Sequence, residues 1–303
     1  MILAVGEILH DVFPEKKVIG GAPFNFSFHL KNLGMPVAFV SRIGKDKEGE
    51  EIKEFLQDNN FDLEFIQVDN KYLTGRVIIK QDKNGEPQFN IIKKMAYDYI
   101  VFDNKIERLL NKDIELIYFG SLIQRSKNGF NTIREILENK NTVTKCFYDV
   151  NLRPDCYTKK VIFESLEYTD VLKLNIDELN HIRSMFGISK NNKYFIEYLM
   201  DQYSFDMVAV TMGKEGSSLY YDNRSITLRP EISRQLVVDP VGAGDAFAAL
   251  IAIGYLKKIA PDEIISLASD FASIICGIRG ALPEDRKLYE NFRVLLDMKG
   301  ESN

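Results

Sequence analysis

Short apolar runs recur along this chain at residues 2–5, 37–43, 116–119, 145–150, 171–174 and 207–211, with segments of helical pattern between most of them. Successive side chains of a strand point to opposite faces, so a run that is apolar throughout must be buried on both sides. Such strands, joined through helices rather than tight turns, pair in parallel and take a layer of helices on each face. The expected fold class is therefore α/β, doubly wound about a mostly parallel central sheet. Helices are expected at about 24–33, 48–57, 128–138, 158–166, 176–185, 191–202, 244–257, 261–277 and 284–296. The first has Pro23 in its opening turn, Gly34 at its stop, and Phe26, Leu30 and Leu33 at helical spacing.

Two stretches break the alternation. Residues 74–94, TGRVIIKQDKNGEPQFNIIKK, are two extended runs around Asn84-Gly85, a strong hairpin signal. A hairpin there predicts a flap of β-structure outside the central sheet. A second hairpin is expected from Ser217–Tyr221 and Ser225–Leu228 around Asp222-Asn223. With no repeat, linker or low-complexity segment, residues 1–303 read as one α/β domain with a β flap.

The formal charge of -5, from 39 basic and 44 acidic residues, argues against nucleic acid or an anionic membrane as the main partner. No apolar stretch approaches the roughly 20 residues that span a bilayer. The start MILAVGEILHDVF lacks a basic segment and is interrupted at Gly6-Glu7, unlike a signal peptide. A cytoplasmic location is expected. Cys146, Cys156 and Cys276 are odd in number and lack metal spacing, and His10, His29 and His181 form no ligand pattern.

In sheets of this kind ligands bind beyond the carboxyl ends of the strands. Polar clusters are expected there: Gly6 and Asp11, Gly120 and Ser121, Asp149 to Arg153, Asn175 and Glu178, Thr211 and Gly213, and Asp239 to Asp245. In Gly20-Gly21-Ala22-Pro23-Phe24-Asn25, adjacent glycines would let a hydroxylated ligand reach the backbone, and Asn25 could read hydroxyls; a plain turn with a cap is the alternative. Asp11, among apolar neighbours, could accept two sugar hydroxyls or be a loop acid. Arg153 could contact substrate or phosphate oxygens by its fork, with Asp149 and Asn151 holding the loop; a structural salt bridge is the alternative. Asn175-Ile176-Asp177-Glu178 opens a helix, where Asn175 is either an N-cap or part of a magnesium-associated element. The turn after 207–211, with Gly213 and Gly216, could border a nucleotide.

The stretch 236–250, LVVDPVGAGDAFAAL, reads as the end of a buried strand, a proline stop, a glycine turn and a small-residue helix. The first N–H groups of such a helix form an anion cradle, and Asp245 stands at its mouth. It is either a helix cap or a base, and as a carboxylate at a helix N-terminus it is expected to be ionised at neutral pH, favoured by roughly 0.3–1 kcal/mol. Neither GxxxxGK[ST] nor an early GxGxxG is present, since Phe247 stands at the third position of the late match.

The early GGAPFN loop and the late DPVGAGDAF stretch, in this order with NIDE and TMGKEG between them, resemble the two signatures of the ribokinase-like (PfkB) sugar kinases, over nearly the whole chain. GEILHDVFP, GGAPFN and DVNLRP look most like fructokinases. The resemblance implies Asp245 as catalytic base and Gly242, Ala243 and Gly244 as anion hole. It implies Asp11, Gly20, Gly21, Asn25 and Arg153 on the sugar side, and Asn175, Thr211, Gly213, Gly216, Gly242 and Gly244 on the nucleotide side. It further implies Mg²⁺ near Glu178, through water, and K⁺ near Asp239 and Val241. Strands within about 10–20 and 74–94 would form a lid that also joins a homodimer.

The expected activity is transfer of the γ-phosphoryl group of ATP to a sugar hydroxyl, most readily that of D-fructose. A 2-keto-3-deoxygluconate kinase or ribokinase of the same family is the near alternative. A catalytically silent sugar- or nucleotide-sensing module is the alternative of another class, and a nicotinamide-dependent oxidoreductase is disfavoured by the failed fingerprint.

Overall fold

A computed structural model describes residues 1–81, 87–229 and 238–300. The chain opens with β1 (Ile2–Val5), followed by β2 (Leu9–Val12), β3 (Lys17–Gly20), α1 (Ala22–Asn32), β4 (Val37–Gly44), α2 (Lys47–Asp58) and β5 (Ile66–Asp69). β6 (Gly75–Gln81) and β7 (Pro87–Ile91) pair as the expected antiparallel hairpin, with Asn84 and Gly85 outside the described residues. Then come α3 (Asn104–Leu110), β8 (Leu116–Gly120), α4 (Lys127–Glu138), β9 (Lys145–Asp149), α5 (Lys159–Leu166), β10 (Val171–Asn175), α6 (Ile176–Met185), α7 (Asn192–Tyr203) and β11 (Met207–Thr211). The hairpin β12 (Ser217–Tyr221) and β13 (Arg224–Leu228) precedes α8 (Ala243–Leu256), α9 (Pro261–Cys276) and α10 (Lys287–Gly300).

The central sheet runs β13-β12-β11-β10-β9-β8-β1-β4-β5. From β11 to β5 every neighbour is parallel, and β12 and β13 are added antiparallel at one edge. Alternate side chains of one strand enter different cores, as full burial of both faces requires. Ile2 and Ala4 of β1 face a cluster with α1, α8 and α9, whereas Leu3 and Val5 face one with α4, α5, α6 and α7. On the first face Phe26 of α1 lies on Tyr118 of β8, with ring centroids 3.8 Å apart and planes at 15°. Against α1 packs α8, whose alanines and Gly254 keep a slim profile; a side chain at Gly254 would collide with Ile264 of α9.

The remaining strands form a separate sheet in the order β3-β2-β6-β7. It is tied to α2 by ion pairs Lys17–Glu51 and Arg76–Glu48, the second 3.1 Å long. The flap expected at 74–94 thus exists as a four-stranded sheet that also recruits residues 9–20. Among the described residues no helix is long and apolar enough to cross a membrane.

The structure departs from the sequence reading at several places. β5 and α3 were not foreseen; they are 4 and 7 residues long, too short for a periodicity to show. The last helix begins at Lys287 rather than 284 and runs to Gly300. Of the strand end expected at 236–238, Leu236 and Val237 lie outside the described residues. Val238 is about half exposed and in no strand; its N–H and that of Asp239 donate to the Cys276 carbonyl at the end of α9. Five of the six polar clusters follow parallel strands or the turn after them, and the sixth hangs from a helix end.

Candidate active site

β1, β8, β9, β10 and β11 end side by side, with Gly120 opposite Asp149, Asp149 opposite Lys173 and Asn175 opposite Thr211. Above these ends the first turn of α8 comes down. Its N-cap is Gly242 at φ 82°, where a side chain would also strike Ala281. Ala243 N–H makes a long 3.4 Å bond to the Pro240 carbonyl, and the Ala246 N–H returns to Gly242 at 2.9 Å. Among the described residues the N–H groups of Gly244 and Asp245 have no acceptor, so the turn presents donors to an anion.

Asp245 is not the cap of its helix: no side chain caps α8. Instead its Oδ2 accepts a 2.8 Å hydrogen bond from Asn25 Nδ2, joining positions 220 residues apart, and both residues are buried. Burial, and then Asp149, push the Asp245 carboxyl up to about 7 against the pull of Lys173, Asn25 and Arg153. This corrects the expectation of a fully ionised group. A displacement of that size is on the order of 4 kcal/mol, well above the roughly 0.3–1 kcal/mol a helix terminus contributes. The carboxyl is thus poised to gain or lose a proton near neutrality.

Burial also raises Asp11 to about 6 and Glu7 to about 7, with Arg153 drawing both down. Arg153 therefore electrostatically faces Glu7, Asp11 and Asp245 from an exposed position. Among the described residues Arg153 makes no ion pair within 4 Å. Asp149, fully buried, binds Lys173 Nζ through Oδ1 at 3.0 Å and Oδ2 at 3.2 Å, and accepts from the Tyr118 hydroxyl at 3.0 Å.

The two glycines of the early loop also let the chain approach itself closely. A side chain at Gly20 would stand 2.8 Å from Asp11 Oδ2, and one at Gly21 2.6 Å from the Glu7 carbonyl. They are needed so that the chain's own Asp11 and Glu7 can approach. Gly120 and Ser121 also serve the frame: Ser121 is buried and its hydroxyl donates to the Val150 carbonyl.

On the β10–β11 side, Asn175 caps α6, accepting from the N–H groups of Asp177 and Glu178, while Glu178 Oε2 accepts from Asn175 N–H at 2.8 Å. Glu178 Oε1 accepts from Leu152 N–H at 2.8 Å. The capping reading of Asn175 is therefore correct, and it is what fixes Glu178 at the strand ends. Among the described residues no three acidic, histidine or cysteine side chains are grouped to hold a metal directly. Each Glu178 oxygen keeps a lone pair after its amide bond, which suits a magnesium ion that retains its waters rather than a protein cage. Thr211 ends β11, and Gly213 and Gly216 shape the turn after it at φ 57° and 100°, with nothing within 4 Å of a side chain placed at Gly213. Asp239 accepts from Val241 N–H at 3.1 Å and Gly280 N–H at 3.0 Å, which brings Gly280 beside the two positions expected around a monovalent cation.

Sequence reasoning missed Glu7, Lys173 and Tyr118. Glu7 is 4% exposed, and among the described residues its Oε2 has no hydrogen-bond partner while the residue lines a water-sized pocket with Tyr118, Ser121 and Asp149. A buried strand end followed by an acid was its only local signal. A cavity of about 480 Å³ beside β5 is lined by Arg42, Phe65, Gln67 and Val101 and contains none of these residues.

Among proteins of known sequence, the chain is 27% identical over 312 residues to an uncharacterised sugar kinase of Pyrococcus horikoshii, with 95% of this chain and 93% of the relative covered. It is 23% identical over 313 residues to a fructokinase of Salmonella typhimurium, covering 96% and 99%. The fold matches that of a fructokinase with bound ATP from Xylella fastidiosa at a TM-score of 0.81, 19% identity, and 100% and 99% coverage. The family model for pfkB family carbohydrate kinases matches residues 4–286. With its two signature loops meeting at Asn25 and Asp245, the chain belongs to the pfkB family of carbohydrate kinases.

Proposed function

We propose that this carbohydrate kinase uses ATP to phosphorylate D-fructose at its 6-hydroxyl. The observation that carries the reading is the 2.8 Å contact between Asn25 and Asp245 at the open first turn of α8. It places a hydroxyl-reading amide and a titratable carboxyl beside unused backbone donors. Asp245 Oδ2 is held by Asn25, and Oδ1 has no bond among the described residues, so Oδ1 receives the proton of the attacking hydroxyl. The sugar oxygen then bonds to the γ-phosphorus as the bond to the ADP oxygen breaks. The N–H groups of Gly244 and Asp245, with Gly242 and Ala243 shaping the turn, stabilise charge on the transferring group.

Asn175, Thr211, Gly213 and Gly216 border the nucleotide, and Glu178, fixed by the Asn175 cap, would hold a magnesium ion through its waters. When bound, that ion neutralises charge on the phosphates. Asp239, Val241 and Gly280 would hold K⁺ beneath the loop that enters α8. Glu7, Asp11 and Asp245 face the sugar position, and Arg153 acts on all three. Such a field favours a neutral polyol over a sugar acid such as 2-keto-3-deoxygluconate.

A panel of fructose, ribose and 2-keto-3-deoxygluconate with ATP and Mg²⁺, read as ADP release, tests the assignment. Fructose is expected to give the highest kcat/KM. Higher values for either other sugar overturn the fructose assignment, and silence across the panel overturns the kinase reading in favour of a sensing module. The small sheet serves in this reading as lid and dimer contact, since β7 is an open edge with Phe89 half exposed. Light scattering is expected to give the mass of two chains; a monomer at micromolar concentration removes that part.

A further inference from the structure

The buried ion pair between β9 and β10 has a position that packing does not explain. Lys173 and Asp149 are register partners on adjacent parallel strands, and both are buried. A buried pair is seldom a net source of stability compared with apolar residues of the same volume. This one points at the reaction: a side chain placed on Gly244 would stand 3.2 Å from Lys173 Nζ. The missing side chain at 244 thus lets an ammonium lie directly against the residue before Asp245.

We propose that the Lys173–Asp149 pair is the positioning device of the base, in which the ammonium under Gly244 keeps Asp245 ionisable and Asp149 opposes it, so that the two together set the pH at which Asp245 accepts a proton. The inference rests on Asp245 being the base. The charged and titratable groups facing Asp245 come from every element around it: Glu7 from the turn after β1, Tyr118 from β8, Asp149 from β9, Arg153 from the loop after β9, and Lys173 from β10, with the neutral Asn25 from α1. Lys173 is the one buried cation of the set, and Arg153 is exposed. Burial alone would draw the Lys173 ammonium down, but Asp149, Glu178 and Asp245 hold it above its ordinary value, so it stays charged. Asp149 is kept in place by the Tyr118 hydroxyl as well as by Lys173.

The test compares K173M, K173R and D149N with wild type in two measurements. One is the pH profile of kcat/KM for the best sugar of the panel. The other, independent of turnover, is the titration of the Asp245 carboxyl by carbon NMR in aspartate-labelled protein, assigned with D245N. A charge within a few ångströms moves a carboxyl by about one pH unit or more. K173M is expected to move the acid limb and the NMR midpoint up by about that much, and D149N to move both down. K173R should stay near wild type. Two pH units below the wild-type limb, the two shifts change the rate about tenfold in opposite directions. If K173M does not fold, the D149N/K173M double variant is compared with D149N alone, and its midpoint is expected to lie higher. Midpoints that stay put, or that move the same way in K173M and D149N, overturn the proposal. Opposite NMR shifts with no sugar turnover in wild type would instead leave the pair's role standing and overturn the kinase reading.

Discussion

Asp245→Asn is expected to lower kcat for sugar phosphorylation by about 10²–10⁴-fold, the usual loss when a positioned base is removed. The amide preserves the size of the side chain and can still accept from Asn25 Nδ2, so ATP affinity measured by calorimetry should change little. The same variant is expected to be more stable than wild type at pH 8. The reason is the direction of the shift: burial raises the folded-state carboxyl to about 7 from an ordinary 3.8. Such a group contributes stability that is fully present below about pH 4 and is lost as pH rises through 7. An uncharged amide does not lose it. Thermal melts of both proteins at pH 5 and pH 8 would show the gap widen in favour of the variant at the higher pH. Turnover within a few-fold of wild type would remove Asp245 from the mechanism, and an unchanged gap would mean that its carboxyl is not buried as described.

Phe26→Ala is the substitution expected to cost most in stability, about 3–5 kcal/mol for an aromatic ring lost from a core. Phe26 is fully buried, stacks on Tyr118 and also approaches Phe147 at 6.0 Å. The damage should not stop at the core. Tyr118 donates to Asp149, so a ring freed to tilt into the cavity loosens the group that holds Lys173. Urea unfolding would measure the first effect, and a fall in kcat at a temperature where the variant remains folded would measure the second. Val143→Ala, at a residue 75% exposed, is the control and should shift stability by less than about 0.5 kcal/mol. A loss below about 1 kcal/mol for Phe26→Ala would mean that α1 does not pack on β8 in this way.

The parallel sheet was legible because its strands are buried on both faces, leaving runs such as LIYF and MVAV with no polar residue to confuse the pattern. α1 was legible from Pro23 and Gly34, which mark its two ends by backbone geometry. Lys173 was not, because a lysine within VLKLN carries no sign of its partner; Asp149 is 24 positions earlier and becomes its neighbour only when β9 and β10 pair. Glu7 was hidden for the same reason, since its burial comes from the early loop folding back over it. The protonation of Asp245 was misjudged because the helix end is written in the local sequence, whereas its burial and the nearness of Asp149 depend on contacts made across the sheet.

The division into two sheets has a mechanical consequence for the ligand site. Asp11 rides on β2 of the small sheet, while Asp245 is fixed to α8 above the large one. Among the described residues no ladder of backbone hydrogen bonds joins the two sheets; the angle between them is set by Leu9, Val77 and Ile79 packing in one core with Leu3 and Val5, by the hydrogen bonds of Thr74 to Gly44 and Asp46, and by Lys17–Glu51 and Arg76–Glu48. A ligand gripped by both carboxyls acts as a strut that locks this angle, and by linkage whatever locks the angle tightens the grip on the ligand.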